Sequence, residues 1–447
     1  MSIAKKFEKV FKGLLPAPFT IAVLLTFFTF ILALFITQPK AEESHILQLL
    51  SYWEEGVWHP PLLVFAIQMM LMLVLGHVLA LTKPINSLIE KGTSFCNNTA
   101  NAAAIITFFT LVVSFFNWGL GLIFGAIFAR KVGEHASKNN IPLNYPLIGA
   151  AGYSGLMVWH GGISGSAPIK IAEEGHFLAD KIGVISQGET IFSAMNISVS
   201  VVLLIVLPLT MYYLGKRSKS SALPTQTSLE NETVEIQGAE KIDHSRIMAY
   251  IFGGIILAFA FYKAFILPEN ISLNIITPNY INLVLLGLAV MMHSSFYNFL
   301  KGVDKAISGA SGILIQFPLY FGIMGIMNHS GMVQIMSDFF VSISNETTFP
   351  IFTFISAAIV NIFVPSGGGQ WAVQGPIIVE AATQLGVSIP KSVMALAYGD
   401  QLTNMLQPFW ALPLLGITGL KAKEILPYTL ILLLVGIVIF IGGLLVF

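Results

Sequence analysis

Six stretches, 17–36, 61–81, 191–214, 247–267, 280–300 and 426–447, are almost unbroken runs of apolar residues. Each is close to or above the ~20 residues that a helix needs to cross a hydrocarbon core of ~30 Å. No water reaches backbone N–H and C=O groups in lipid, so each run has to be helical. Composition agrees, with 55% hydrophobic and 10% charged residues, too little charge for a soluble surface at this length. The expected fold is an all-α polytopic membrane protein, with about nine spanning helices and two shorter re-entrant segments.

Several function classes drop out. The formal net charge is zero, so no basic face points to nucleic acid. The single cysteine, Cys96, excludes an intrachain disulfide and a cysteine metal cluster. There is no Walker loop, no histidine pair at metal spacing and no Gly-x-Ser-x-Gly elbow. Tyr153-Ser154-Gly155 lacks a triad context. No cofactor, no metal and no enzyme activity are expected. Lys5, Lys6, Lys9 and Lys12 precede the first apolar run. That run is too long for a signal peptide and no small-residue cleavage site follows, so it reads as an uncleaved first span.

Positive residues concentrate on the cytoplasmic side. With the N-terminus inside, span 1 (16–37) leads out to Glu42, Glu43, Glu54 and Glu55, and span 2 (60–82) returns to Lys83 and Lys91. A full crossing by 98–135 would put Arg130, Lys131 and Lys138 outside. A re-entrant hairpin turning at Asn117-Trp118-Gly119-Leu120-Gly121 removes the conflict. Span 3 (142–172, interrupted) leads out and span 4 (187–214) leads in. The polar stretch 215–246, with Lys216, Arg217, Lys219, Lys241 and Arg246, reads as a cytoplasmic linker. Spans 5 (247–267), 6 (280–300) and 7 (308–328) follow. A second hairpin (348–385) turns at Pro365-Ser366-Gly367-Gly368-Gly369, and spans 8 (390–418) and 9 (427–447) end the chain. This topology makes 18 of the 23 Lys and Arg cytoplasmic.

A shift of 248 positions lays the second half on the first. Phe115, Gly119 and Gly121 fall on Phe363, Gly367 and Gly369, and Ile141-Pro142 on Ile389-Pro390. Overall identity is low; the glycine turns and the helix-starting prolines carry the match. Spans 2 to 6 separate the copies, an odd number, so the copies are inverted. Inverted repeats with paired broken segments point to a secondary transporter's midplane site. The expected divisions are an N-terminal span and periplasmic loop (1–59), a first repeat (60–214, hairpin 98–135), the linker (215–246), connecting spans (247–307) and a second repeat (308–447, hairpin 348–385).

Breaking an apolar helix frees backbone groups at membrane depth, at several kcal/mol per unsatisfied group. Four breaks stand out: the two glycine turns, the segment 153–168 and the segment 400–408. Asn117, Trp118 and Gly119 mark the first turn; Ser366, Gly367, Gly368, Gly369 and Gln370 mark the second. Ser154, His160, Gly161, Gly162, Ser164 and Ser166 mark the first interruption; Thr403, Asn404 and Gln407 mark the second. All are expected to line the substrate site. Glycine N–H groups and neutral side-chain donors suit an anion. No Lys or Arg lies in the breaks, which fits a small monoanion better than a di- or tricarboxylate. Glycine runs also serve close helix packing. Asp400 is the acidic residue at a midspan break and the candidate coupling-ion residue. His160 abuts the other break and reads equally as a titrating group or a hydrogen-bonded core histidine. His77 and His293 read as structural, and Glu380 sits near a hairpin mouth.

Val364-Pro365-Ser366-Gly367-Gly368-Gly369-Gln370-Trp371, within 361–376, resembles the signature segment of bacterial short-chain fatty acid transporters. Gly399-Asp400-Gln401-Leu402-Thr403-Asn404, within 398–410, is similar to that family's second signature. His160-Gly161-Gly162-Ile163-Ser164-Gly165-Ser166 resembles its first-half counterpart. The resemblance spans essentially the whole chain. It implies an inner-membrane carrier of acetoacetate, butyrate and similar monocarboxylates. More distantly it implies an elevator-type, ion-transporter-like fold. The coupling ion, H⁺ or Na⁺, stays open, as does a homo-oligomer. A membrane-embedded enzyme or assembly factor with a buried polar cavity is the alternative reading, and a channel a third.

Overall fold

The computed structural model describes residues 18–39, 44–221, 223 and 238–447. Lys5, Lys6, Lys9, Lys12, Glu42, Glu43 and, within the 215–246 linker, residues 222 and 224–237 lie outside them. Among the described residues the chain is helical, and seven helices are long and apolar enough to cross a membrane. The first two crossings are α1 (Pro18–Ile36) and α3 (Pro60–Ala80). Between them lies α2 (His45–Val57), and after them α4 (Lys83–Thr93).

The first hairpin is α5 (Thr99–Phe116) and α6 (Trp118–Lys138), joined through Asn117 alone. Asn117 is extended and its side-chain oxygen accepts from the Leu120 N–H at 2.8 Å, so the turn is also a helix N-cap. The interrupted span follows: α7 (Tyr145–Tyr153), a 3₁₀ turn (Ser154–Met157), an irregular stretch, and α8 (Ser166–Ile171). Helix α9 (Ala194–Arg217) is again of spanning length, and α10 (Arg246–Phe261) and the shorter apolar α11 (Pro278–His293) follow the linker.

The expected span over 280–300 ends early. Ser294 is left-handed (φ 59°) and closes α11. Ser295 then caps a separate helix, α12 (Phe296–Ile307). Four such helices, α2, α4, α12 and α14 (Met332–Ile343), have one apolar face and one polar face. That pattern suits the membrane surface better than its core. Helix α13 (Ser311–His329) precedes α14.

The second hairpin, α15 (Thr348–Phe363) and α16 (Gly367–Leu385), repeats the first. Ser366 caps α16 by accepting from the Gly369 N–H, as Asn117 does for α6. Caps 117 and 366 align at a shift of 249, one more than the sequence register, because the second turn is two residues longer. A second interrupted span follows: α17 (Ile389–Thr403), a 3₁₀ turn (Asn404–Leu406) and α18 (Pro408–Thr418). Helix α19 (Ala422–Val446) is last.

The helices sort into two bundles. Helices α1–α3 pack with α10–α13, while both hairpins, both interrupted spans, α9 and α19 form the other bundle. The bundles meet where α3 lies on α6 and where α13 lies on α16.

Candidate functional site

Each break is closed in part by the other half of the chain. In the first, the N–H groups of His160 and Gly161 both donate to Gln401 Oε1, at 3.0 and 3.2 Å. The Gly161 carbonyl accepts from Asn196 Nδ2 at 2.8 Å. In the second, the Tyr153 hydroxyl donates to the Asn404 carbonyl at 3.0 Å and the Gln407 carbonyl at 3.2 Å. Asn361 on α15 donates its amide to the Asp400 carbonyl at 2.7 Å and to Thr403 Oγ1 at 3.0 Å. Gln407 Nε2 donates to the Asn361 carbonyl. These bonds meet the backbone groups that an interrupted helix would otherwise strand in lipid.

Both hairpin tips reach this crossing. Trp118 N–H donates to Ser164 Oγ at 3.0 Å, and Ile163 N–H to the Phe115 carbonyl at 2.7 Å. Trp410 Nε1 donates to the Pro365 carbonyl at 2.9 Å. The Trp118 ring lies 5.2 Å from Trp410 and 5.6 Å from Trp159, and Trp159 stacks on His160 at 4.5 Å. A small cavity, about 20 Å³, sits among these groups. From the expected residues, Trp118, Ser166, Ser366, Gly367, Gly368 and Asn404 line it. Trp159, Trp410, Phe317 and Met69 complete its apolar wall. The buried donors Trp118 Nε1, Trp159 Nε1 and Asn404 Nδ2 have no acceptor in the protein.

Other expected residues play supporting parts. Gly119 packs on Leu73 of α3, and Gly162 on the Phe115 backbone, where a side chain would collide. Ser154 donates to the Ala151 carbonyl within its own turn. Gln370 donates to the Ala357 carbonyl and to Gln374. Thr403 donates to the Ala358 carbonyl. Glu380 pairs with Lys181 at 3.1 Å, and His293 Nε2 lies 2.8 Å from the Val78 carbonyl.

Asp400 has a partner that sequence reasoning did not pair with it. Its Oδ2 lies 2.5 Å from His160 Nδ1, and both side chains are buried. A second buried charge was missed altogether. Lys170 on α8 is 2.6 Å from Glu173 and 5.3 Å above the Phe65 ring. Gln68 Nε2 donates to Glu173 at 2.6 Å and to Asn279 at 3.1 Å, tying α3 and α11 to the hairpin bundle. Glu173 and Asn279 also line a polar cavity of about 680 Å³. A basic residue just past a break, inside an apolar run, was the signal for this network.

A family profile described as "Short chain fatty acid transporter" matches residues 2–447. The chain belongs to that family. A relative from Escherichia coli K12, named "Putative short-chain fatty acid transporter", is 38% identical over 97% of this chain and 96% of its own. One of the same name from Haemophilus influenzae is 35% identical over 96% of both. Two solved transporters share the fold. YdaH from Alcanivorax borkumensis has a TM-score of 0.61 at 13% identity, over 96% of this chain and 98% of its own. MtrF from Neisseria gonorrhoeae, described with a class of antimetabolite efflux pumps, has a TM-score of 0.56 at 14% identity, over 98% and 97%. Family and fold together make the chain a multi-pass membrane transporter.

Proposed function

We propose that the chain takes up short monocarboxylates, such as butyrate and acetoacetate, across the bacterial inner membrane, coupled to H⁺ or Na⁺. The observation that carries this reading is the cavity at the hairpin tips. Three buried neutral donors without acceptors, Trp118 Nε1, Trp159 Nε1 and Asn404 Nδ2, border an aromatic wall. A buried donor left unmade costs ~1–3 kcal/mol, and a carboxylate is the acceptor that removes this cost. The ring wall would take a short alkyl or keto tail. No Lys or Arg lines the cavity, which suits a single negative charge.

Uptake against a gradient needs a coupled cation or exchange for another solute, and Asp400 is the carboxylate placed to carry a cation. In this reading the repeats 60–214 and 308–447 face opposite sides of the membrane, with 215–246 cytoplasmic. The hairpin bundle would move as a unit against α1–α3 and α10–α13. The test is uptake of labelled butyrate and acetoacetate into proteoliposomes, with pH and Na⁺ gradients imposed separately. Saturable uptake with counterflow from preloaded substrate is expected. Absence of saturable uptake under every gradient would overturn the reading.

A further inference from the structure

His160 and Asp400, 240 positions apart, meet where the two breaks cross. Both nitrogens of the His160 ring have partners. Nδ1 lies 2.5 Å from Asp400 Oδ2, and Nε2 lies 3.1 Å from the backbone N of Ala167. A backbone N–H can only donate, so Nε2 must be the acceptor and carry no proton. Which nitrogen of an imidazole is protonated is set by the bond that the other one makes. The single ring proton is therefore on Nδ1, and Asp400 Oδ2 must accept it. Turning the ring over would put carbon atoms at both contacts, so the partners themselves fix this orientation.

An imidazolium at 160 would set a second N–H against the Ala167 N–H, donor against donor. Asp400 Oδ2 is occupied as an acceptor, while its Oδ1 is buried and has no partner. We infer that His160 is a permanently neutral positioning residue, locked in its Nδ1–H form by Ala167, and that the coupling cation is taken at Oδ1 of Asp400. This deepens the proposed coupling at Asp400 and rests on it.

The surroundings fit a fixed tautomer. Ionisable groups on the elements packed around the pair have other partners. Lys170, on the same short helix as Ala167, is held by Glu173 at 2.6 Å. Tyr398 donates its hydroxyl to Asn196 Oδ1 at 3.0 Å. Glu380 pairs with Lys181, and Lys391 lies at the start of α17, about two and a half turns before Asp400. Trp159 stacks on the His160 ring, and Gly367 lies so close to the ring's edge that an added Cβ would meet it. The ring that orients Asp400 therefore also touches the second hairpin tip.

Two measurements test the inference. The first is ¹⁵N NMR of histidine-labelled full-length protein in lipid, with His160 assigned by its loss in His160→Asn and its shift in Asp400→Asn. Its signals should stay those of the neutral Nδ1–H form across about pH 5 to pH 8, the range in which a free histidine changes charge. Imidazolium signals within that range would overturn the proposal. The second is transport in proteoliposomes. Asn at 160 keeps a donor towards Asp400 but cannot take a proton, whereas Ala keeps neither. His160→Asn should still concentrate substrate, at a reduced rate, under the same driving gradient. His160→Ala should lose roughly ten- to a hundredfold in rate, the scale of one hydrogen bond to a charged group. A His160→Asn protein that exchanges substrate but cannot concentrate it would put the coupling proton on His160 and overturn the proposal. If that variant does not fold, the wild-type signals, assigned through Asp400→Asn, decide alone. Wild-type accumulation by Asp400→Asn would instead defeat the coupling reading, and leave the tautomer result standing.

Discussion

The hydroxyl of Tyr153, in the first half of the chain, donates to the carbonyl oxygen of Asn404, 3.0 Å away in the second half. It also reaches the Gln407 carbonyl at 3.2 Å. One side chain thus covers two carbonyls released by the second break, in a place where no other solvent group is at hand. Tyr153→Phe keeps the packing and removes both bonds. It should lower stability by ~1–3 kcal/mol, read as a fall in Tm of the purified protein in detergent. A wild-type Tm would mean that the 3₁₀ turn at Asn404–Leu406 satisfies those carbonyls unaided.

The second hairpin tip tolerates no added volume. A Cβ on Gly367 would lie 2.6 Å from the Trp159 ring and 2.7 Å from His160 Cε1. Gly367→Ala should therefore push both rings out of place and abolish measurable substrate binding. Ser366→Ala removes a cavity hydroxyl and the cap on Gly369, and should weaken binding by ~1–3 kcal/mol. Gly416, with open space around its Cβ position, is the matched control, and Gly416→Ala should bind as wild type. Calorimetric titration with butyrate checks all three; wild-type affinity in Gly367→Ala moves the site away from the tip.

The Lys170–Glu173 pair sets up a cycle. Glu173→Gln leaves a buried ammonium without its counter-charge, which costs ~3–5 kcal/mol. Lys170→Met alone strands the carboxylate, which is less deeply buried and should lose less. Replacing both removes the stranded charge, so the double variant should be more stable than Glu173→Gln. Thermal unfolding of the three proteins measures the coupling. Additive losses would show that Gln68 and Asn279, not Lys170, hold Glu173.

Much of this architecture was readable from local pattern. Apolar runs of spanning length gave most of the long helices, and the glycine turns at 117–121 and 365–369 gave both hairpins, because each signal is contained within a few residues. The four surface helices were not foreseen. Lys83–Thr93, with Pro84, Asn86, Ser87, Glu90 and Lys91, looks like a polar loop until its apolar face finds a partner. Pairings across the halves were also out of reach. Nothing near His160 announces Asp400, and nothing near Tyr153 announces the carbonyl of Asn404. Which buried polar group meets which is decided by how the two interrupted spans cross, not by spacing along either one. Trp410 stood inside the second signature segment and Trp159 just before the first-half one, but neither was singled out as a site residue, because only the cavity brings them into one wall.

Topology is open to chemical labelling. The only native thiol, Cys96, is buried, and burial pushes it up to about 12. Thiolate, the reactive form, is scarce at neutral pH, so the wild-type protein should label poorly and serve as a clean background. Asn139→Cys, just after α6, and Ser342→Cys, in the last turn of α14, place thiols at exposed positions; Ser337 on α14 is buried and unsuitable. The two should react with an impermeant maleimide from opposite sides of the membrane, with Asn139→Cys on the cytoplasmic side. Labelling from one side would remove the inversion of the repeats.

Coupling is the last prediction. A carrier concentrates a carboxylate only by moving a cation with it or by exchanging another solute. Asp400 is buried at the second break, with Oδ2 on His160 and Oδ1 without a partner. Asn361 Oδ1 and Gln407 Oε1 are likewise buried acceptors without donors. A buried carboxylate is costly unless a proton or a metal cation joins it, and hard cations prefer oxygen ligands. Asp400→Asn is neutral and nearly isosteric, so it should leave the cavity at the hairpin tips intact while removing the charge that draws the cation. The variant should lose concentrative uptake and keep part of its substrate exchange. Both are measured in the same proteoliposomes, under a pH gradient and a Na⁺ gradient in turn, and the gradient that drives the wild type names the ion. Accumulation by Asp400→Asn at the wild-type level would make Asp400 a structural acid that orders His160, and would shift the coupling to the remaining oxygens of the break.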